Sequence, residues 1–173
     1  MSKPLSVQEF LFAVKEWPTQ LFPPQELFRS QAALDNDFSN LPTLNQVNNV
    51  REFVTVVLQP LRKLWEGPLI VNSCHRSVQT NMAAGGVENS YHLSDRGAAA
   101  DVATATASMQ GTQELLLTLA AAPDIPFAEA ILYFNPCRIH IGWDKDPVQN
   151  KREVLVKTKN GYEPYPGRGT ANV

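Results

Sequence analysis

Three histidines and one aspartate are the residues of this chain best suited to metal chemistry. His75, His92 and His140 lie in or beside strand-like segments, and Asp101 lies in AAADVAT, which otherwise has the composition of a buried strand. A buried carboxylate needs a partner, and a metal ion shared with His92 would supply one. Two imidazoles and one carboxylate leave a zinc position open for water, as in catalytic sites. The alternative, which spacing alone leaves open, is ordinary hydrogen-bonded core histidines.

The segment RIHIGW shows how strands could assemble such a site. Side chains alternate along a strand, so the two isoleucines point to one face of the sheet, and Arg138, His140 and Gly142 point to the other. If Asp101 lies on a neighbouring strand, it can approach His140 while the loop that carries His92 closes over both. The chain has no C-x-x-C pair of the kind that closes a structural zinc site.

Composition restricts the class of protein. The 173 residues, 43% hydrophobic and 18% charged, indicate one globular domain, residues 1–173. A net charge of -2 without a basic stripe argues against nucleic acid, and no apolar run is long enough to insert into a membrane. The N-terminus has no secretory signal, which predicts synthesis in a cytoplasm. Cys74 and Cys137 are predicted to be core thiols rather than a disulfide framework.

Periodicity predicts helices early and strands later, which indicates an α+β fold: N-terminal helices packed on a small, mainly antiparallel sheet. Predicted helices cover about 6–17 (within the N-terminal segment 1–19), a short stretch from Pro24, 44–64 with an interruption at Pro60, a stretch ended by Gly85, and one from Met109. Predicted strands are LIVNSCH, AAADVAT, FAEAILYF and RIHIGW, with REVLVKT as strand or helix. Residues 158–173 are predicted to form a surface tail.

The segment SYHLSDRGAAADV resembles the S-x-H-x-x-G-x-A-x-D signature of the zinc D-alanyl-D-alanine peptidases, a group that includes VanX- and VanY-like enzymes and phage endolysins. The resemblance covers about residues 20 to 157. It implies that His92, Asp101 and His140 bind zinc and that Arg76 anchors substrate through a carboxylate. Ser90 matches the serine of the motif, near the substrate. The alternatives are an Arg76 that packs the loop and a Ser90 that only forms a turn.

Two departures from the family pattern concern the loop and the aromatic position. His92 and Asp101 are two residues farther apart than in the motif, which predicts an insertion in LSDRG and leaves Asp95 as an exposed carboxylate or, alternatively, a replacement ligand. His75 occupies the place of an aromatic residue before Arg76. It is predicted either to bind substrate or to fill a partly buried aromatic slot.

The third departure concerns the general base. The resemblance implies a Glu or Asp shortly before the second histidine, but YFNPCRI contains none. Glu129, on the preceding strand, is the predicted base, and Asp144 is the second choice. Tyr133 lies where many relatives carry the acid. Its phenol is a poor base but could donate a hydrogen bond, so Tyr133 is predicted to bind substrate.

The resemblance implies a zinc-dependent peptidase that hydrolyses bacterial peptidoglycan stems or cross-links. A phage-encoded enzyme of this kind would act on the wall after release from the host cytoplasm, or as part of a virion, with other virion or lysis proteins as candidate partners. A second hypothesis is a phage structural or wall-docking module that keeps the zinc site but lacks turnover. A third is a metal-free structural domain.

Overall fold

A computed structural model describes residues 3–166 of the chain. No helix within this range is long and apolar enough to cross a bilayer. The helices are α1 (Val7–Ala13), α2 (Pro24–Leu27), α3 (Gln31–Asp35), α4 (Leu44–Phe53), α5 (Gln59–Trp65), α6 (Val78–Ala83) and α7 (Met109–Ala121). The strands are β1 (Leu69–Ser73), β2 (Gly97–Thr104), β3 (Glu129–Phe134), β4 (Cys137–Asp144), β5 (Glu153–Thr158) and β6 (Gly161–Pro164).

The six strands form one sheet in the order β1-β2-β4-β3-β5-β6. Every neighbouring pair is antiparallel except β3 and β5, which run parallel. That parallel pair arises because the chain leaves β4 through a short 3-10 turn, Pro147–Gln149, and returns on the far side of β3. The predicted α+β class and the mainly antiparallel sheet are confirmed.

One long helical segment packs on the sheet. Thr43 caps its start through a capping box with Gln46. A π-helical stretch, Val54–Leu58, joins α4 to α5 just before Pro60. Proline has no N–H to donate into the preceding turn, so a local change of helical pitch there is physically reasonable. The predicted interruption therefore appears as a π segment, and the helix continues to Trp65.

Alternation along β2 and β4 separates the core from the opposite face. Ala98, Ala100 and Val102 on β2, with Ile139 and Ile141 on β4, are fully buried in the core beneath the helices. The residues between them point to the other face. Burial of the isoleucines on the core side follows the sequence prediction, and it leaves the polar residues of both strands together on the second face.

The C-terminal part of the described chain differs from the predicted surface tail, 158–173. REVLVKT forms β5, and residues 161–164 form an additional edge strand, β6, which pairs with β5. β6 is largely exposed, and Tyr162 on this strand helps to line a cavity on the second face of the sheet. Residues 167–173 of the predicted tail lie outside the described range.

Gly97 begins β2 where the backbone of β4 passes very close. A Cβ at this position would overlap the carbonyl oxygen of Trp143 and lie 2.8 Å from the Cα of Asp144. These are backbone atoms of a paired strand and cannot rotate away, so Gly97→Ala should lower the free energy of unfolding by about 2–3 kcal/mol, measured by urea denaturation.

The matched control is Gly85→Ala. It adds the same methyl group where no atom lies within 4 Å, although at a φ of 71°. We expect it to cost only about 1 kcal/mol, from the left-handed backbone alone. Equal stability of the two variants would contradict the proposed overlap at Gly97.

Candidate metal centre

Three buried side chains converge on the second face of the sheet. One ligand atom from each of His92, Asp101 and His140 lies within 4.8 Å of the others. Asp101 and His140 are direct partners across β2 and β4, and Asp101 Oδ1 lies 3.0 Å from His140 Nδ1. His92 enters from the loop before β2, with Nε2 3.4 Å from the same oxygen. This is the donor set and spacing that a tetrahedral metal with an open position requires.

The backbone fixes the orientation of His92. The residue lies in a 3-10 turn, Tyr91–Leu93, and Ser90 Oγ accepts a hydrogen bond from the His92 N–H. His92 Nδ1 lies 2.6 Å from the carbonyl oxygen of Cys74. A carbonyl can only accept, so Nδ1 carries the proton and the Nε2 lone pair faces Asp101. A backbone carbonyl that fixes the tautomer in this way is a common support for a metal-binding histidine.

The loop between His92 and Asp101 contains a turn attached to α4. Asn49 Nδ2 donates to the carbonyl oxygens of Ser94 (2.8 Å) and Asp95 (3.1 Å). Gln46 Nε2 donates to Asp95 Oδ1 at 2.9 Å. Asp95 therefore faces helix α4 and not the histidines, and Asp101 is the carboxylate that meets them.

The Asp101 carboxylate is the electrostatic centre of the site. Its Oδ2 accepts a hydrogen bond from Arg76 Nη2 at 2.9 Å, while Arg76 Nε donates to Ser73 Oγ. Burial alone would raise the pKa of Asp101, but the neighbouring imidazoles of His140 and His92 hold the pKa well below its usual value. Asp101 is consequently ionised at any pH at which the protein would act.

The two histidines differ in their protonation. Burial lowers the pKa of His92 more than Asp101 raises it. Burial would also lower the pKa of His140, but hydrogen bonds to Asp101 and Glu129 outweigh burial and raise the pKa to about 9. Each ring nitrogen of His140 faces a carboxylate, Asp101 on one side and Glu129 on the other. His140 is thus the ligand that carries an extra proton at neutral pH in the absence of metal.

Glu129 is the carboxylate next to the three converging residues. Its Oε1 lies 3.5 Å from His140 Nε2, and its side chain is 33% exposed in the cavity. The hydrogen bond with His140 lowers the pKa of Glu129 despite partial burial. The second choice, Asp144, is buried and accepts hydrogen bonds from Tyr91 Oη and the Asp146 N–H. Its position in that network leaves Glu129 as the better placed base.

A cavity of about 530 Å³, called the site cavity below, opens over the three residues. Of the predicted substrate-binding residues, Arg76, Ser90 and Tyr133 line it. Tyr133 Oη lies 3.4 Å from Tyr162 Oη, and burial raises the pKa of Tyr133. A phenol with a raised pKa remains protonated, so Tyr133 cannot replace the acid as a base.

His75 lies outside the site cavity, contrary to the prediction that it binds substrate. Its side chain is fully buried against Phe28, with Nδ1 3.2 Å from Ser94 Oγ and Nε2 without a hydrogen-bond partner among the described residues. Burial lowers the pKa of His75 to about 3, so the ring is neutral. It fills the aromatic slot, which is the second interpretation that the sequence allowed.

Several residues without a predicted role also line the site cavity. Arg96 lies over the Tyr91 ring, with its guanidinium carbon 4.2 Å from the ring centre, and Arg138 lies over Tyr133 at 4.3 Å. Tyr162 lines the same cavity from β6. Strand alternation in the sequence placed Arg138 on the same face of the sheet as His140, and this pattern could have identified Arg138 as a residue of the site. The contacts of Arg96 and Tyr162 depend on loop and edge-strand positions that no local pattern encodes.

The model of the family described as Peptidase M15 matches residues 6–122. The chain belongs to the Peptidase M15 family. The match includes His92 and Asp101 and ends before Glu129 and His140. The pairing of β2 with β4 brings Asp101, inside the matched range, next to His140, outside it. No curated protein matches the chain. The predicted membership of the zinc D-alanyl-D-alanine peptidase group is confirmed at the level of this family.

Members of the Peptidase M15 family are zinc-dependent metallopeptidases. The residues present fit zinc: two imidazoles and one ionised carboxylate converge, and the Cys74 carbonyl fixes the tautomer of His92. His92, Asp101 and His140 would hold the ion, and the cavity above them leaves room for a substrate carbonyl and water.

The side chains of the site should release close to one proton per chain when zinc binds at pH 6.5, where a zinc-bound water with a pKa of about 7 is still mostly protonated. His140 is protonated in metal-free protein because its pKa is raised to about 9, whereas His92 and Asp101, with lowered pKa values, have no proton to lose. Since one proton competes with the metal, apparent affinity should fall roughly tenfold for each pH unit below about 7. Titration calorimetry in two buffers of different ionisation enthalpy measures the release. Release of two protons or none would contradict this assignment.

Removing a ligand should remove the metal. We expect His92→Ala, Asp101→Ala and His140→Ala each to weaken zinc binding by more than about 100-fold, because three protein ligands are the minimum for such a site. The control is His75→Phe, which alters a buried histidine outside the cavity and should keep one zinc per chain by elemental analysis. Loss of zinc in a folded His75→Phe protein would contradict the assigned ligand set.

Proposed function

We propose that this protein is a zinc-dependent peptidase that hydrolyses peptide bonds in bacterial peptidoglycan stems or cross-links. The observation that carries the proposal is the meeting of His92, Asp101 and His140 beneath an open cavity, with Glu129 beside them. Family membership supports the metallopeptidase chemistry. The motif resemblance to D-alanyl-D-alanine peptidases supports a cell-wall peptide as substrate.

The residues of the site divide the chemistry between them. His92, Asp101 and His140 would hold a zinc ion, whose chemistry would be to activate water and to polarise the scissile carbonyl. Glu129 takes the proton of the attacking water and passes it to the leaving amine. Its lowered pKa keeps it ionised and ready to accept that proton near neutral pH. His140 Nε2 contacts Oε1 of Glu129, which holds the carboxylate at the edge of the cavity.

Arg76 is placed to hold the substrate. Its contacts with Asp101 and Ser73 fix the guanidinium at the wall of the site cavity. A guanidinium has five N–H donors, so others remain for a carboxylate of the substrate. Because these contacts immobilise the side chain, substrate binding would cost little additional side-chain entropy. The same contacts also stabilise the charge of Asp101.

A second candidate function is a phage wall-docking or structural module without turnover. The observation that favours it is the phenol of Tyr133 where many relatives carry the acid, with its hydroxyl next to Tyr162 instead of a carboxylate. Both proposals fit a phage protein that acts on the wall after release or as part of a virion. Only the peptidase requires Glu129 to take part in proton transfer.

Activity should depend on Glu129 and not on the neighbouring acid Glu153. Glu129→Gln should lower the rate of amine release from purified peptidoglycan by about 100- to 10,000-fold while zinc remains bound, because the amide cannot accept a proton. Glu153 pairs with Glu129 across β3 and β5 but is exposed, so Glu153→Gln is the matched control and should keep full activity.

A chelator and His140→Ala should abolish the same amine release. If zinc-loaded wild-type protein binds peptidoglycan and releases no amines, the docking module is supported instead. If Glu129→Gln retains wild-type turnover, Glu129 is not the base, although the metallopeptidase assignment would stand.

A further inference from the structure

The site cavity has an excess of positive charge. Among the described residues that line it, the charged side chains besides the histidines are Arg76, Arg96, Arg138, Asp101 and Glu129. Three arginines thus face two carboxylates, and a divalent cation at the centre would add two further positive charges. An excess of cations in a partly enclosed cavity favours an anionic ligand.

Arg138 is the second arginine close to the Asp101 carboxylate. It lies on β4 two residues before His140, on the same face, and its side chain is 21% exposed. Its guanidinium lies over the Tyr133 ring at 4.3 Å, and Nη1 contacts the Pro136 carbonyl oxygen at 3.4 Å. Stacking of this kind sets the plane of the guanidinium and leaves its edge free for hydrogen bonds.

The nearby carboxylate cannot neutralise Arg138 fully. Arg138 Nε lies 3.8 Å from Asp101 Oδ2, beyond hydrogen-bond distance, whereas Arg76 bonds that oxygen at 2.9 Å. The other oxygen of Asp101 faces His92 and His140. Two imidazoles and Arg76 therefore lie closer to the Asp101 carboxylate than Arg138 does. Two guanidinium groups lie within 4 Å of one carboxylate oxygen, and both line the site cavity.

We propose that Arg138 acts with Arg76 as a carboxylate-binding pair that selects substrates with a free carboxylate close to the scissile bond. The inference rests on the proposed function and adds a specificity-determining residue to it. Arginine matches the planar, two-oxygen shape of a carboxylate through paired N–H donors, and two arginines can hold one carboxylate from two directions. Tyr133 orients Arg138 and is itself held towards β6 through Tyr162.

In a wall peptide this carboxylate has two possible sources. One is the C-terminal carboxylate of the stem, which would make the enzyme a carboxypeptidase. The other is the free α-carboxylate of a γ-linked glutamate, which is compatible with internal cleavage. Both present the same chemistry to Arg138, so the test compares two pairs of synthetic stem peptides: C-terminal acid against amide, and glutamate α-carboxylate against its amide.

We expect wild-type enzyme to favour the acid over the amide by at least about tenfold in kcat/KM for one of the two pairs, and that pair identifies the source. Arg138→Gln should lower that ratio several-fold, leaving the part that Arg76 supplies, and Arg138→Lys should give an intermediate value because it keeps charge without the planar fork. The control Arg29→Gln removes an exposed arginine away from the cavity and should keep the wild-type ratio. A wild-type ratio near one for both pairs, or an unchanged ratio in Arg138→Gln, overturns the proposal while the peptidase function stands.

A binding measurement tests the pair without any turnover. In zinc-loaded, nitrogen-15-labelled protein, sodium acetate at constant ionic strength should shift the side-chain Nε–H signals of Arg76 and Arg138 together, with one saturation curve. The exposed Arg29 should respond weakly and without saturation. If the signal of Arg138 follows that of Arg29, the carboxylate site is excluded. If Arg138 saturates and no peptide is cleaved, the carboxylate site stands and the proposed peptidase function fails.

Discussion

The burial of one negative charge, that of Asp101, governs the architecture of the site. A carboxylate within an alanine-rich strand loses its hydration and must regain that energy from neighbours. Here it does so through two imidazoles and Arg76, which come from a loop, from β4 and from the segment between β1 and α6. Removing any one of these three groups would leave a buried charge short of partners, so the strand pairing and the loop are coupled energetically to the site. The cation that the family requires would satisfy the same carboxylate.

The two faces of the sheet have different roles, and this separation lets the fold bury the Asp101 carboxylate among polar partners. The helices cover the face of Ala98 and Ile141, whose small and branched side chains allow close packing, and the opposite face holds the polar groups. Helix α4 also supports the site directly, because Asn49 bonds the loop that carries His92. Hydrophobic packing and ligand placement thus depend on the same helix. A longer loop can be accepted in such a design when its extra backbone groups find buried partners.

The sequence alone supported the fold class, most element boundaries and the convergence of His92, Asp101 and His140, because alternation and motif resemblance are local signals. It left open the choice between two interpretations of His75, whose burial depends on the packing of α2 against the end of β1. Strand β6 was not predicted, since Gly- and Pro-rich segments carry weak strand signals and its pairing is set by β5. Contacts between cavity-lining residues of distant elements depend on the register of the whole sheet, which local sequence patterns do not specify.

The presence of Tyr133 and the position of Arg138 are physically connected. A carboxylate at position 133 would pair with Arg138 across β3 and β4, where the two residues are direct partners. Such a pair would neutralise the arginine and draw the acid away from the metal. With a phenol at that position, the guanidinium rests on an aromatic face and keeps its donors for a ligand. In the proposed mechanism the basic function falls to Glu129, which lies beside His140 with Oε1 3.5 Å from the imidazole Nε2.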